Sequence, residues 1–200
     1  MTSFLKTVGS AVTGRFLDKP KFELTSDHSK DVKNGVEERQ YQAAKWVSTN
    51  VVGMSRDEAT NIGFQRLFKY ITGSNEKSQK IDMTAPVATK IAPGAGPNCE
   101  STFTVSFYIP TELQDNPPKP TDPKVFVENW PAMTFYVKSF GGFAKEQDWL
   151  SEAEKLTENI SNKNTINQNF WYTAGYNSPF QLVGRTNEVW LPVIKSESKE

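Results

Sequence analysis

The chain has 200 residues, enough for one domain or two small halves sharing a core. Its 23 basic and 23 acidic residues cancel, so no overall field draws it to nucleic acid or to an anionic membrane. Cys99 stands alone and His28 is the single histidine, which excludes an intramolecular disulfide, a thiolate metal cluster and any site that needs two imidazoles.

Residues 1–31 read as a lead-in. From Met1 to Lys19 the segment carries Lys6, Arg15 and Lys19, has no acid before Asp18, and sets Phe4, Leu5, Val8, Val12 and Phe16 near one helical face. That composition resembles a mitochondrial transit peptide, but a segment that docks on the domain or stays loose is the favoured reading. No apolar run approaches the ~20 residues of a spanning helix. Asp18–Gly35 is polar, contains Pro20, and is expected to form no element. Val36–Gly53 is the first strand region, with Trp46, Val47, Val51 and Val52 as its apolar content. Ser55 and Glu58 make a capping box, and Phe64, Leu67, Phe68 and Ile71 then recur at helical spacing until Gly73.

In Lys80–Val87 (KIDMTAPV), Ile81, Met83 and Ala85 alternate with Asp82 and Thr84, the period of a half-buried strand. Pro86 removes a backbone donor, so a strand kinked there is expected, resuming from Val87 to Ile91. A loop at Pro93–Pro97 leads to a strand at Phe103–Ile109. Asp115–Pro123 breaks all regular structure and is read as a stiff crossover between two halves in preference to a proline-rich ligand for an aromatic groove. Beyond it the pattern restarts. Thr134–Val137 is a strand, Trp149, Ala153, Leu156 and Ile160 mark a second amphipathic helix, and strands follow at Phe170–Thr173 and Val189–Ile194. Strand, helix, strand, strand thus occurs twice, which predicts an α+β tandem repeat with pseudo-two-fold symmetry.

No nucleophile–base arrangement stands out. Gly141-Gly142, set between Phe140 and Phe143, suits a bulge or close backbone contact better than a phosphate loop. Glu188, beside Arg185 and Asn187, is expected to fix a local turn by an ion pair. A tetrapyrrole groove needs a flat apolar slot and cations for the propionates, with an axial ligand optional. Phe64 and Phe68, with Lys69 at the helix end, could form such a slot or simply face the core.

Four ordered stretches carry a family resemblance: KIDMTAPV, Tyr41–Thr49 (YQAAKWVST), Phe140–Ala144 (FGGFA), and Tyr172–Pro179 (YTAGYNSP) running on to Gly184–Leu191 (GRTNEVWL). Together, over roughly Val32 to Val193, the chain resembles the SOUL/haem-binding protein family, nearer its SOUL branch. The resemblance implies a distorted β-barrel of two strand-helix-strand-strand repeats flanked by two helices. The single domain would span 32–195, with repeat one at about 36–112, the crossover at 115–123, repeat two at about 124–195, and a tail at 196–200.

It also implies binding of haem or protoporphyrin, for buffering or delivery and without catalysis. Binding would lie between the first helix and the loop after YTAGYNSP, so Phe64, Phe68, Lys69 and Phe180 are the expected contacts and no metal ligand or catalytic residue is assigned. Two other basic positions of the family's groove fall on Asn61 and Gln181, and the branch's iron-binding histidine position is Gln40. Two other readings stand beside this one. One is a protein-interaction role at mitochondria, with a partner held through the second helix; the other is an enzyme acting on a small hydrophobic molecule. A cytoplasmic location, with mitochondrial association, is expected, and nucleic acid and a transmembrane segment are not.

Overall fold

The computed structural model describes residues 17–25, 35–96 and 99–194. His28 and residues 1–16, the bulk of the transit-like segment, lie outside them. Nine strands form one antiparallel sheet: β1 (Phe22–Leu24), β2 (Val36–Tyr41), β3 (Ala44–Gly53), β4 (Val87–Ala92), β5 (Ser101–Tyr108), β6 (Val125–Trp130), β7 (Met133–Gly141), β8 (Trp171–Gly175) and β9 (Thr186–Pro192). Two α-helices, α1 (Arg56–Ile71) and α2 (Glu146–Glu158), lie among the described residues. Neither is long and apolar enough to cross a membrane.

The order β1-β2-β7-β9-β8-β4-β5-β3-β6 reads the same from both ends once β1 is set aside. The units β3-α1-β4-β5 and β7-α2-β8-β9 mirror one another about the β4–β8 pair, where Ala88 faces Ala174. Each unit is also preceded by a strand, and those two strands are exchanged: β2 pairs with β7, and β6 with β3. The sheet curls into a half-barrel. Tyr41 of β2 and Trp46 of β3 line one ≈ 10 Å³ cavity with Trp130 and Trp190, although β2 and β3 stand second and eighth in the sheet. That concave interior is filled by Tyr41, Trp46, Tyr108, Phe135, Tyr172 and Trp190.

The alternate residues of the same strands face outward and bury the helices. Val47, Val105 and Phe107 pack under Leu67, Tyr70 and Ile71 of α1. Tyr136, Val189 and Leu191 pack under Trp149 and Leu156 of α2. Gly63 sets how closely α1 approaches the sheet: a Cβ there would collide with a Val105 methyl.

The helix starts are joined across the dyad. Ser55 Oγ accepts from Glu58 N at 3.4 Å, as the capping box requires, but it donates to Glu146 Oε2 at 3.0 Å. Arg56 N donates to Glu146 Oε1 at 3.0 Å, so a carboxylate from α2 satisfies an orphan donor of α1. In return the Arg56 guanidinium lies 4.4 Å above the Trp149 ring. Glu146→Ala is expected to cost about 0.5–2 kcal/mol, the usual range for a lost cap, read from the denaturant midpoint. A change confined to α2 would show that the link across the dyad is idle.

Several sequence expectations need correction. Asp18–Gly35 contains β1, which pairs Phe22 with Tyr41, and Asp18 anchors it by accepting from Ala85 N and Thr111 N. Val36–Gly53 is two strands rather than one. Residues 81–86 are not a strand: Thr84 Oγ1 bonds the Tyr108 carbonyl, the Ala85–Pro86 peptide is cis, and the ladder begins only at Val87. Val125–Trp130, assigned no element from sequence, is an edge strand.

Candidate functional site

α1 sets Phe64 and Phe68 on one side because they are four residues apart, and both are half-buried. Their rings lie 5.8 Å apart at 14°, and Phe64 meets Phe107 edge-on at 5.2 Å. Each ring therefore keeps one side against the core and one side open. The facing wall is the non-strand segment before β4, which brings Met83 and Thr84 to the groove, together with Val87 at the first position of β4. Gly175–Pro179, at the end of β8, and Leu17 close it. The enclosed volume is ≈ 80 Å³, well below the ~300–1,000 Å³ of sites that swallow a small molecule. A macrocycle placed here lies against the groove with one face in water.

Lys69 is exposed near the C-terminal end of α1 and does not line the groove. Lys19 brings a second cation close to the groove, 5.3 Å from the ring centre of its lining residue Tyr176. Phe180 is 58 % exposed on the loop beyond Pro179, together with Leu182 and Val183, and does not line the groove. That loop is held from within. Arg185 Nη1 donates to the carbonyls of Ser178 (2.7 Å) and Gln181 (2.9 Å), and the Gln181 amide donates to those of Val183 (3.0 Å) and Gly184 (3.1 Å). Gln181, at a position the resemblance makes basic, is spent on the loop itself. Asn61 is exposed on α1.

The ion pair expected between Glu188 and Arg185 does not form. Glu188 projects into the half-barrel, where Arg39 donates to it at 3.0 Å, Ser139 at 3.2 Å, Tyr176 at 2.6 Å and Trp190 Nε1 at 2.8 Å. Arg39 is 7 % and Glu188 4 % exposed. Arg39 also bonds Glu37 (2.7 Å) and the Tyr41 hydroxyl (3.2 Å). Burial works against the Arg39 charge, yet Glu188, Tyr41 and Glu37 together hold its pKa above the ordinary value. Tyr176 joins this cluster to the groove that it lines.

Burial, then the Glu188 charge, pushes the Tyr41 phenol up to about 12, and burial, then Glu76, does the same for Tyr70. Neutral phenols are thus preferred in the fold. Their contribution is complete below about pH 10, where the unfolded phenols begin to ionise, and is lost as the pH climbs through the folded value of about 12. For Tyr41 the loss approaches about 1.4 kcal/mol for each pH unit in that window, and Tyr70 acts in the same direction. Denaturant midpoints at about pH 9, 10 and 11 should fall steeply over the last step. A flat profile would place these hydroxyls in water.

Gln40 is exposed on the outward face of β2, opposite Thr134 of β7. From there to Gly175 at the groove is three strand spacings of ~4.8 Å across the sheet and about six residues of ~3.4 Å along it. A ring stacked on Phe64 and Phe68 is out of reach of position 40. Among the described residues no group of three or more His, Cys, Asp or Glu is placed to hold a metal ion. The soft donor that lines the groove is the Met83 thioether.

The family model described as "SOUL heme-binding protein" matches residues 17–192. The chain belongs to the SOUL haem-binding protein family. Heme-binding protein 2 of Homo sapiens is 46% identical over 163 residues, covering 81% of this chain and 80% of that protein. Heme-binding protein 1 of Xenopus laevis is 39% identical over 165 residues, covering 82% and 87%. The fold reaches further than the sequence. The C-terminal domain of EcmrR matches at a TM-score of 0.55 and 9% identity, over 80% of this chain and 98% of that one.

In this SOUL protein the signature KIDMTAPV is the groove wall facing α1. Phe64 and Phe68 are therefore brought together with Met83 and Val87 as one apolar slot, while neither Lys69 nor Phe180 lines it. Sequence reasoning missed Met83, Thr84 and Tyr176 as site residues, although all lie inside the family motifs. Leu17 carried no such signal.

Proposed function

We propose that this SOUL protein binds haem or a related porphyrin reversibly against α1 and carries out no turnover on it. The observation that carries the reading is the parallel pair Phe64–Phe68, half-buried beneath an open apolar groove in a member of this family. A planar macrocycle gains dispersion and apolar burial from such a pair. Lys19, over the Tyr176 ring, and exposed Lys69 on α1 are the cations offered to its anionic edge groups. Because no imidazole lines the groove among the described residues, apolar contact dominates, and the metal-free ring should bind about as well as the iron-loaded one. The curated relatives are named for haem binding, which supports a carrier or buffer rather than an enzyme.

Titration with hemin and with protoporphyrin, followed by absorbance and by tryptophan quenching, tests this. Comparable affinities and a largely high-spin hemin spectrum are expected. Lys69→Glu should weaken hemin by several-fold only, since an exposed pair is worth about 0.2–1 kcal/mol. Failure of both rings to bind would overturn the reading; unchanged hemin affinity of Lys69→Glu at low salt would move the carboxylate contact elsewhere.

A further inference from the structure

We propose that the cleft between α2 and the sheet binds an amphipathic carboxylate, its apolar body on the cleft floor and its carboxylate on Lys163. The proposal does not rest on the porphyrin reading, because this cleft is separate from the α1 groove. Its volume is ≈ 590 Å³, inside the ~300–1,000 Å³ range of small-molecule sites and several times that of the groove. Ala153 of α2, Ile166, Phe170, Trp171 and Leu191 give it an apolar floor. The wall opposite α2 is the segment 163–167, fixed by the Ile166–Val193 bridge and by Asn167 N donating to the Pro192 carbonyl at 2.8 Å.

Lys163 lies on that wall, and its chemistry is unresolved within the fold. The Nζ atom has less than 1 Å² of exposed surface and no hydrogen-bond partner among the described residues. An ammonium carries three donors, and leaving them unmet in a covered position is costly. Lys163 as a whole is only half-buried, so its ammonium can turn out to a carboxylate in the cleft, which supplies charge and acceptors together. Glu154 and Glu158 also border the cleft, and both are exposed on α2. They repel an anionic head from the helix side and so direct it toward Lys163. A neutral ligand would leave the ammonium unpaired, and a cationic one would repel it.

Calorimetric titration of the whole chain with dodecanoate, dodecanol and dodecylammonium, each below its micelle concentration, tests the assignment. Dodecanoate should bind at least about ten-fold more tightly than the other two, and Lys163→Met should remove that preference, since hydrogen bonds to charged groups are among the strong ones. Ala153→Trp, which fills the floor, should abolish binding while leaving the circular dichroism unchanged. Phe64→Ala should leave dodecanoate binding intact. Displacement of dodecanoate by hemin in the Phe64→Ala protein would identify the carboxylate as a porphyrin propionate, and failure to displace it would identify an alkyl acid; either keeps Lys163 as its partner. Equal or tighter binding of dodecylammonium, dodecanoate affinity indifferent to Lys163→Met, or loss of binding in Phe64→Ala would each overturn it.

Discussion

Arg39→Met should lower stability by about 3–5 kcal/mol, the cost of leaving a buried carboxylate without its cation. Glu188 loses its ionic partner, while Ser139, Tyr176 and Trp190 still point their donors at it. The carboxylate therefore stays in place and stays buried. The Arg39 guanidinium also lies 4.4 Å over the Phe22 ring, so β1 loosens as well. Glu188→Gln should cost less, because Arg39 keeps its contact with half-exposed Glu37 and the amide can still accept. The double variant should recover part of the Arg39→Met loss, since both charges then leave together. Urea midpoints of the wild type, both single variants and the double variant make the measurement. A loss below about 1 kcal/mol for Arg39→Met would mean that water already reaches the cluster.

Phe64→Ala/Phe68→Ala should weaken hemin and protoporphyrin alike, by about ten-fold per ring removed, as expected for lost apolar burial of about 1–2 kcal/mol each. The parallel loss for both ligands separates stacking from iron ligation. Gln40→His adds a ligand at a distant, exposed point of β2. Any nitrogen-ligated hemin band it creates should persist when both phenylalanines are gone, and protoporphyrin binding should not change. If the band disappears with the phenylalanines, one ring spans both places and the separation of the two sites is wrong. Unaltered porphyrin affinity of the double alanine variant would remove the α1 groove from consideration. Retained fold, checked by circular dichroism, is expected because Leu67, Tyr70 and Ile71 still anchor α1.

What the sequence made legible was whatever rests on local periodicity. Phe64 and Phe68 are found by helical spacing, and the two repeats by their matching patterns. Contacts between distant segments left no local mark. The partner of Glu188 is 149 residues away, whereas Arg185 is close in sequence and turned to the loop carbonyls. β6 escaped notice because Glu128, a polar residue in a short stretch after a proline run, faces inward and bonds Ser48. Gln40 shows the same limit differently: matching neighbours fix its strand but do not say which face of the curled sheet it occupies. The groove wall at Met83 was visible as a motif and misread as a strand, because alternation of side chains also arises where a threonine hydroxyl, rather than a ladder, ties the segment to the sheet.

The exchange of β2 and β6 between the repeats bears on the order in which the molecule can be completed. β2 leaves the ribosome early, yet its ladder partner β7 begins far downstream, at Met133. The first repeat, for its part, waits for β6 to cover β3. Neither half is a finished product while the other is unmade, so the two repeats are interdependent parts rather than two small proteins in tandem. Long-range pairing of this kind slows folding relative to a chain of local hairpins. It also means that the nascent first half exposes the flank of β3 until synthesis passes Trp130, a window in which a second nascent copy could donate its own β6.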